Sequence, residues 1–327
     1  MKKERILSGM RPTGKLHLGN LFGALKNWVG LQDQYECFFM VADYHSLTTP
    51  SDFAQIQENT IAMVADWLAV GIEPQKSIIF VQSLVPEHAE LALLLGMFTP
   101  LGWLLRCPTY KEQIREYPDY QNYGLLGYPV LQAADILIYK AKKVPVGLDQ
   151  VPHLEITREI ARTFNHHVGK IFPEPQPLLS ETPKIMGLNR PNEKMSKSFG
   201  PDNCLYLADE PETIRVKIQK AVTDVGPSNK MSAGVANLFT LMKQVSSEET
   251  YQLFYQKYQK KELKYQKLKE VLASDLIEYL KPIQKKRKEW IAHPEKIRQV
   301  LLSGSEKARK IAQETIKEVR FSLGLKL

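Results

Sequence analysis

The sequence predicts an α/β chain, a doubly wound parallel sheet followed by an all-helical C-terminal domain. Three observations predict it. Short, continuous apolar runs alternate with amphipathic stretches through the first half, as buried parallel strands and their crossover helices do. Glycine and polar residues collect at the carboxyl ends of those runs, where open α/β sheets bind ligands. Past about residue 204 only helical periodicity remains.

Ile6 and Leu7 form a short β-type run that stops at Gly9. Pro12 and Gly14 turn the chain, and a helix opens near His17 with Leu18, Leu21, Phe22, Leu25 and Val29 on one stripe. Strand, Gly-rich turn and helix N-terminus together make an anion site, because free N–H groups and the helix dipole point at it. His17, Gly19 and Asn20 stand in its first turn as H-x-G-N. Gly19 leaves room for something flat against the backbone, while His17 and Asn20 offer donors to a phosphate. The same pattern also serves as plain βα punctuation, and no Walker loop occurs in the chain.

Residues 37–42 (CFFMVA) are a buried strand ending in Asp43, Tyr44 and His45. Ser51 caps the next helix, with Ile56, Met63, Val64, Trp67 and Leu68 inward and Gly71 as its stop. Residues 77–81 are a third strand, and Pro86 opens an apolar helix reaching about Met97. Between residues 100 and 123 the pattern breaks into irregular sequence that holds Lys111. Residues 125–139 (LLGYPVLQAADILIY) are a buried helix on which Tyr128, Gln132 and Asp135 make a polar stripe. A carboxylate there must be bonded or paired, either in an internal network or in a pocket for a flat polar ligand. Residues 144–147 form a short strand, with Leu148, Asp149 and Gln150 at its carboxyl end and a helix from Asp149 onward. His166 and His167 close that helix and point apart, which argues against a shared metal. Four prolines in residues 172–183 predict a linker. Helical faces follow at Ile214, Ile218, Ala221 and Val222 and at Leu238, Leu241, Met242 and Val245. Long helices are expected from about Ser247 to Lys281 and from about Pro294 onward.

The 327 residues allow two domains, and 43% hydrophobic with 24% charged is ordinary for a soluble protein. No apolar run reaches the ~18 residues a membrane span needs, and Met1-Lys2-Lys3 is not followed by a signal-type apolar region. Cys37, Cys107 and Cys204 are scattered, as in reduced cytoplasmic thiols rather than a disulfide frame or zinc site. Residues 246–327 hold 19 Lys+Arg and 11 Asp+Glu, so the whole net charge of +8 lies in the last quarter. A neutral first part with a basic helical tail suits a polyanionic partner. Within the tail, residues 257–269 (KYQKKELKYQKLK) interleave lysines with tyrosines, as a phosphate-and-stacking surface does; a solvated bundle exterior has the same composition.

About 175 residues after H-x-G-N comes Lys194-Met195-Ser196-Lys197-Ser198, two lysines among small hydroxyl residues with Gly200 and Pro201 behind. The pair resembles the HIGH and KMSKS signatures of class I aminoacyl-tRNA synthetases. The segments SGMRPTGKLHLGN, VADYHSLT, YPVLQAADILIY, VPVGLDQVPHLEITREIARTFN, KIMGLNRPNEKMSKS and AVTD, in that order, resemble the bacterial tryptophanyl-tRNA synthetases over nearly the whole length.

The resemblance implies a Rossmann-type catalytic domain over 1–190, a KMSKS loop and linker over 191–203, and a helical anticodon-binding domain over 204–294. The last helix, about 295–327, would pack back on the catalytic domain. It implies ATP-dependent activation of L-tryptophan and transfer to tRNA(Trp) by a cytoplasmic homodimer that needs no membrane. Arg11, Thr13, His17, Gly19, Asn20, Gly147, Asp149, Lys194, Met195, Ser196 and Lys197 would bind ATP. Of these His17, Asn20, Lys194 and Lys197, together with Lys111, would act in catalysis. Leu7, His45, Tyr128, Gln132, Asp135 and Gln150 would bind the amino acid, with Asp135 accepting the indole N–H and Tyr128 and Gln150 meeting the ammonium. Lys257, Lys260, Lys261 and Lys264 are the candidates for tRNA contact. Mg²⁺ would accompany ATP on its phosphates, with no protein metal site. Gln132, where many tryptophan enzymes carry Met, also resembles the tyrosyl-tRNA synthetases, the alternative reading; Leu7 stands where those carry a Tyr. Arg11 replaces a frequent Gln, and Leu148 interrupts the stretch around Asp149. Intact H-x-G-N and KMSKS argue against an inactive RNA-binding paralogue.

Overall fold

A computed structural model describes residues 3–48, 52–147, 151–179, 182–223 and 231–325. Five strands, β1 (Arg5–Met10), β2 (Glu36–Val41), β3 (Ser77–Val81), β4 (Lys143–Val146) and β5 (Gln176–Leu179), form one parallel sheet. Their order is β3-β2-β1-β4-β5. This is the doubly wound, Rossmann-type arrangement: the chain winds outward one way from β1 to β3 and the other way from β4 to β5. The reversal leaves a crevice beyond the carboxyl ends of β1 and β4. β2 is apolar along both faces because helices cover both; Phe38 and Met40 face one core and Cys37, Phe39 and Val41 the other.

The first helical run, residues 18–31, is an α turn at Leu18–Asn20, a π segment at Leu21–Leu25 and an α segment at Lys26–Leu31. Trp28 rather than Val29 is its fully buried late member, stacked on Phe39 at 4.6 Å. Ser51 lies outside the described residues; Asp52 caps a short turn at Phe53–Gln55 that leads into the helix Ile56–Val70. Gly71 ends that helix with φ +118°, a left-handed stop open to glycine.

Three expectations change. The stretch after residue 100 is not irregular: it folds as Leu101–Arg106 and Pro108–Glu116 with a turn at Pro118–Tyr120, short helices whose starts follow or carry a proline. The proline-rich linker contains β5, where Pro177 is tolerated because β5 is an edge strand. The helix expected over 247–281 breaks into Glu248–Gln259 and Tyr265–Ile291, with Lys261 at φ 60° in the turn between them.

The helical part meets the α/β part twice, once on a helix and once on the sheet. Helix Tyr265–Ile291 packs along Ile56–Val70, where Arg287 Nε meets Asp66 Oδ1 at 2.7 Å and Tyr279 meets Phe22 at 5.7 Å between centroids. Helix Pro294–Ser322 returns to the sheet and covers β3. A Cβ on Gly304 would stand 1.8 Å from the Ile79 carbonyl oxygen, so only glycine permits this approach. Next to it, the Val81 N–H donates to Ser305 Oγ at 3.2 Å, satisfying part of an otherwise open strand edge. Among the described residues no helix is long and apolar enough to cross a membrane.

Candidate active site

At one end of the crevice the two motifs meet. His17 is extended (φ −121°, ψ 172°) and opens the first helix; its N–H donates to Asn20 Oδ1 at 3.0 Å. The turn is pinned to the chain just past the KMSKS loop, by Leu18 N–H to Leu205 O at 2.9 Å and Leu207 N–H to Leu16 O at 3.0 Å. A Cβ on Gly19 would fall 2.9 Å from the His17 ring and 3.6 Å from Met195 Cβ. Glycine is therefore what lets the His17 ring fold over this turn, while Met195 stands at an ordinary contact distance. His17 Nδ1 is buried with no protein partner. Burial first, then the Lys197 charge, bring its imidazole down to about 4. At neutral pH it is an uncharged ring with an unspent polar atom, which suits a hydrogen bond to a phosphate or ribose oxygen.

The KMSKS stretch sits on a hairpin, with Gly187 N–H to Glu193 O at 2.9 Å and Met195 N–H to Ile185 O at 3.0 Å. Met195 is its buried anchor. Ser196 Oγ accepts from Ser198 N–H at 3.3 Å and starts the turn Lys197–Phe199. Lys197 Nζ crosses to the opposite turn and donates to Thr13 O at 3.4 Å. Burial lowers the Lys197 pKa, while the charges of Cys204 and Asp66 pull it back up. Arg11, Thr13 and Lys194 are exposed around this end.

At the other end is a cavity of about 500 Å³, lined by Leu7, Gly9, Arg11, Met40, His45, Tyr128, Gln132, Asp135, Gly147 and His153 among others. The expected amino-acid residues Leu7, His45, Tyr128, Gln132 and Asp135 are thus brought together, from β1, the turn after β2 and helix Tyr123–Ile138. Asp149 and Gln150 lie outside the described residues. His17, Gly19, Asn20 and the KMSKS residues do not line this cavity. Nor does Lys111, which is exposed on Pro108–Glu116; Gln113 of the same helix does.

Asp135, 1% exposed, is the electrostatic centre of the cavity wall. His45 Nε2 lies 2.8 Å from its Oδ2, and His88 Nδ1 lies 2.5 Å from its Oδ1. Gln82 Nε2 donates to both oxygens, at 2.8 and 3.0 Å. Burial alone would raise this carboxyl, but the His88 and His45 contacts outweigh it and leave the pKa below the ordinary value. The Tyr128 hydroxyl lies 3.1 Å from His153 Nδ1 and 3.5 Å from Cys107 Sγ. Burial pushes the Cys107 thiol up, yet bonds from His153, Tyr128 and the Tyr110 backbone bring it down to about 7.

Gln82, His88, His153 and Cys107 were not singled out from sequence. Gln82 had a usable signal, being the first residue past the carboxyl end of β3, as His45 is just past β2. His88 and Cys107 had none, since His88 enters from helix Glu87–Gly96 and Cys107 from the junction between Leu101–Arg106 and Pro108–Glu116. The four lysines Lys257, Lys260, Lys261 and Lys264 are exposed at the turn between two C-terminal helices. The interleaved tyrosines are not a stacking platform, however. Tyr258 and Tyr265 pack inward against the core, with Phe239 edge-on to Tyr258 at 5.9 Å.

Residues 1–281 match the family described as tRNA synthetases class I (W and Y). The chain is 44% identical to the tryptophan–tRNA ligase of Thermotoga maritima over 329 residues, covering 98% of this chain and 99% of that protein. It is 43% identical to the tryptophan–tRNA ligase of Porphyromonas gingivalis over 329 residues, 99% of this chain and 100% of the other. Its fold superposes on the tryptophanyl-tRNA synthetase of Campylobacter jejuni, solved with ADP and tryptophan, with a TM-score of 0.86, 34% identity, and 98% and 99% of the two chains covered. A tyrosyl-tRNA synthetase from Aeropyrum pernix shares the fold at 19% identity and a TM-score of 0.70, with 96% of this chain and 90% of that chain covered. The chain belongs to the class I tRNA synthetases of the tryptophan and tyrosine (W and Y) family.

Proposed function

We propose that this protein activates L-tryptophan with ATP to tryptophanyl-adenylate and transfers the amino acid to tRNA(Trp). The observation that carries the reading is a buried, ionised Asp135 in the wall of a cavity of mixed apolar and polar lining, at the sheet's switch point and in the same crevice as H-x-G-N and KMSKS. An indole ring fits such a cavity, and its single N–H matches a carboxylate acceptor. The full-length relatives at 43–44% identity are tryptophan ligases, which speaks against the tyrosine alternative.

In this reading the tryptophan carboxylate attacks the α-phosphorus in line; an O–P bond forms as the bond to the pyrophosphate oxygen breaks. The tRNA ribose hydroxyl then takes the acyl group, and AMP leaves. No protein nucleophile is needed, so the chain's work is positioning and charge stabilisation. Neutral His17 and Asn20 hold the phosphates at the helix N-terminus. Lys194 and Lys197 offset charge on the leaving pyrophosphate, with Arg11, Thr13, Met195 and Ser196 shaping that end. Gly19 admits the adenine plane, Gly147 and Asp149 take the ribose, and Gln150 with Tyr128 takes the ammonium. Lys111, exposed on Pro108–Glu116, adds a further cation for the phosphates.

Mg²⁺ would arrive on the nucleotide, where it supplies charge neutralisation. That fits the donor set, since among the described residues no three His, Cys, Asp or Glu side chains are grouped to cage an ion. The basic C-terminal helices suit the tRNA backbone. Exposed Leu93, Met97, Leu101, Leu105 and Tyr123, carried by helices Glu87–Gly96, Leu101–Arg106 and Tyr123–Ile138 and the turn at Met97, support a homodimer through these apolar side chains. A cytoplasmic setting follows from the substrates. The deciding experiment is ATP–pyrophosphate exchange with each amino acid: tryptophan should drive it, and preference for tyrosine or no exchange would refute the reading.

A further inference from the structure

We propose that His88, steadied by Tyr139, is a positioning residue that fixes Asp135 as an ionised, correctly turned acceptor and thereby sets selectivity for a substrate N–H. The inference rests on the tryptophan reading and goes behind the cavity wall. Of the three partners of Asp135, only His45 lines the cavity. Gln82 and His88 are both 0% exposed and grip the carboxylate from the far side. His88 Nε2 lies 2.7 Å from the Tyr139 hydroxyl.

Tyr139 is wholly buried, and burial holds its phenol well above the ordinary range, so it keeps its proton. The ionised carboxylate of Asp135 only accepts, so His88 Nδ1 carries the hydrogen directed at Oδ1, and the Tyr139 hydroxyl meets Nε2 as donor to a neutral ring or acceptor from a charged one. The phenol ring is itself fixed, stacked on Phe38 at 4.6 Å and edge-on to Phe80 at 5.4 Å. Two further charged groups stand by Tyr139: Arg5 Nη1, which donates to its carbonyl oxygen at 3.2 Å, and Glu87, which is paired with Arg309 Nε at 2.9 Å from the last helix.

Held from behind, the carboxylate is fixed in orientation and kept ionised, so the oxygen that meets His45, Oδ2, offers the cavity an acceptor. An indole N–H can join or replace His45 there. A protonated carboxyl would present an O–H as readily as a lone pair, and a freely turning carboxylate would no longer aim its lone pairs into the cavity; either would discriminate less against a substrate lacking N–H.

The test compares tryptophan with benzothienyl-alanine, which has sulfur in place of N–H, in pyrophosphate exchange from pH 5 to 8. The wild type should favour tryptophan by at least about tenfold in kcat/KM. His88→Leu should erase most of that ratio, chiefly through the KM for tryptophan, with kcat changed less than about threefold. It should also bring an acid limb into the pH range, because a buried carboxyl without His88 protonates more easily. His88→Asn, whose amide can replace the Nδ1–H donor, should restore the ratio. Equal losses for both substrates, or a ratio unmoved by His88→Leu, would overturn the proposal. Should His88→Leu fail to fold, Tyr139→Phe carries the test: a ratio that moves by threefold or more supports the role, and an unmoved one overturns it. A wild type that does not use tryptophan would instead sink the reading beneath it.

Discussion

Replacing Asp66 by Asn should stabilise this protein at pH 8, although it removes an ion pair that ties the helical tail to the catalytic part. The Asp66 side chain is 3% exposed and its partner Arg287 18%, with 2.7 Å between Oδ1 and Nε. Burial raises the carboxyl from 3.8 to about 6, more than the Arg287 charge and hydrogen bond and the Lys197 charge lower it. The folded pKa thus lies above the unfolded one. Between the two values the native state binds a proton that the unfolded chain lacks, so this group favours folding at low pH. Its contribution is lost as pH rises through about 6. A gap of about two units corresponds to about 3 kcal/mol. A neutral isostere escapes that cost, so Asp66→Asn should gain up to about 3 kcal/mol over wild type at pH 8 and little at pH 4.5. Arg287→Met should do the reverse, losing about 1–3 kcal/mol at pH 8 because the carboxylate is left buried without its partner. Urea unfolding of the three proteins at pH 4.5, 6 and 8 reads this out. The Asn variant has a functional echo, since one of the two charges that raise the Lys197 pKa, Asp66 beside Cys204, is gone and the alkaline limb of pyrophosphate exchange should move to lower pH. Destabilisation of Asp66→Asn by more than about 1 kcal/mol at pH 8 would refute the reasoning, because the pair would then outweigh its desolvation.

Lys197→Ala should lower the adenylation rate constant by ~10²–10³ while the tryptophan dissociation constant stays within about threefold; single-turnover kinetics separate the two, and equal losses would make the loop a simple binder. Neutralising Lys257, Lys260, Lys261 and Lys264 together should flatten the salt dependence of tRNA affinity by ~0.7–0.9 for each phosphate left without its lysine, with tRNA-free exchange unchanged; an unaltered slope assigns them to solvent. Met97→Glu combined with Leu101→Glu should turn a dimer into monomers in sedimentation equilibrium, and a persistent dimer would place the interface elsewhere.

The sequence by itself determined the strand and helix order, because burial imposes a local periodicity: residues 37–42 are apolar throughout where β2 is covered on both faces, and Gly71 stands where a helix must stop. It also determined H-x-G-N, KMSKS and the Tyr128–Gln132–Asp135 stripe, since each is a run of neighbours on one turn or helix face. Local rules misjudged residues 172–183 as a linker because prolines say nothing of which sheet edge lies nearby, and that edge is where β5 pairs. They misjudged Tyr258 and Tyr265 as a surface because composition does not state which side of a helix meets Phe239 and the core. Only the tertiary structure decided that Asp135 is held by His45, Gln82 and His88, that Lys197 reaches Thr13, and that Arg287 anchors on Asp66 across 221 residues. Such contacts carry no period: each depends on where two separately formed elements come to rest, and the sheet's reversal at β1 and β4 is what brings those elements to one crevice.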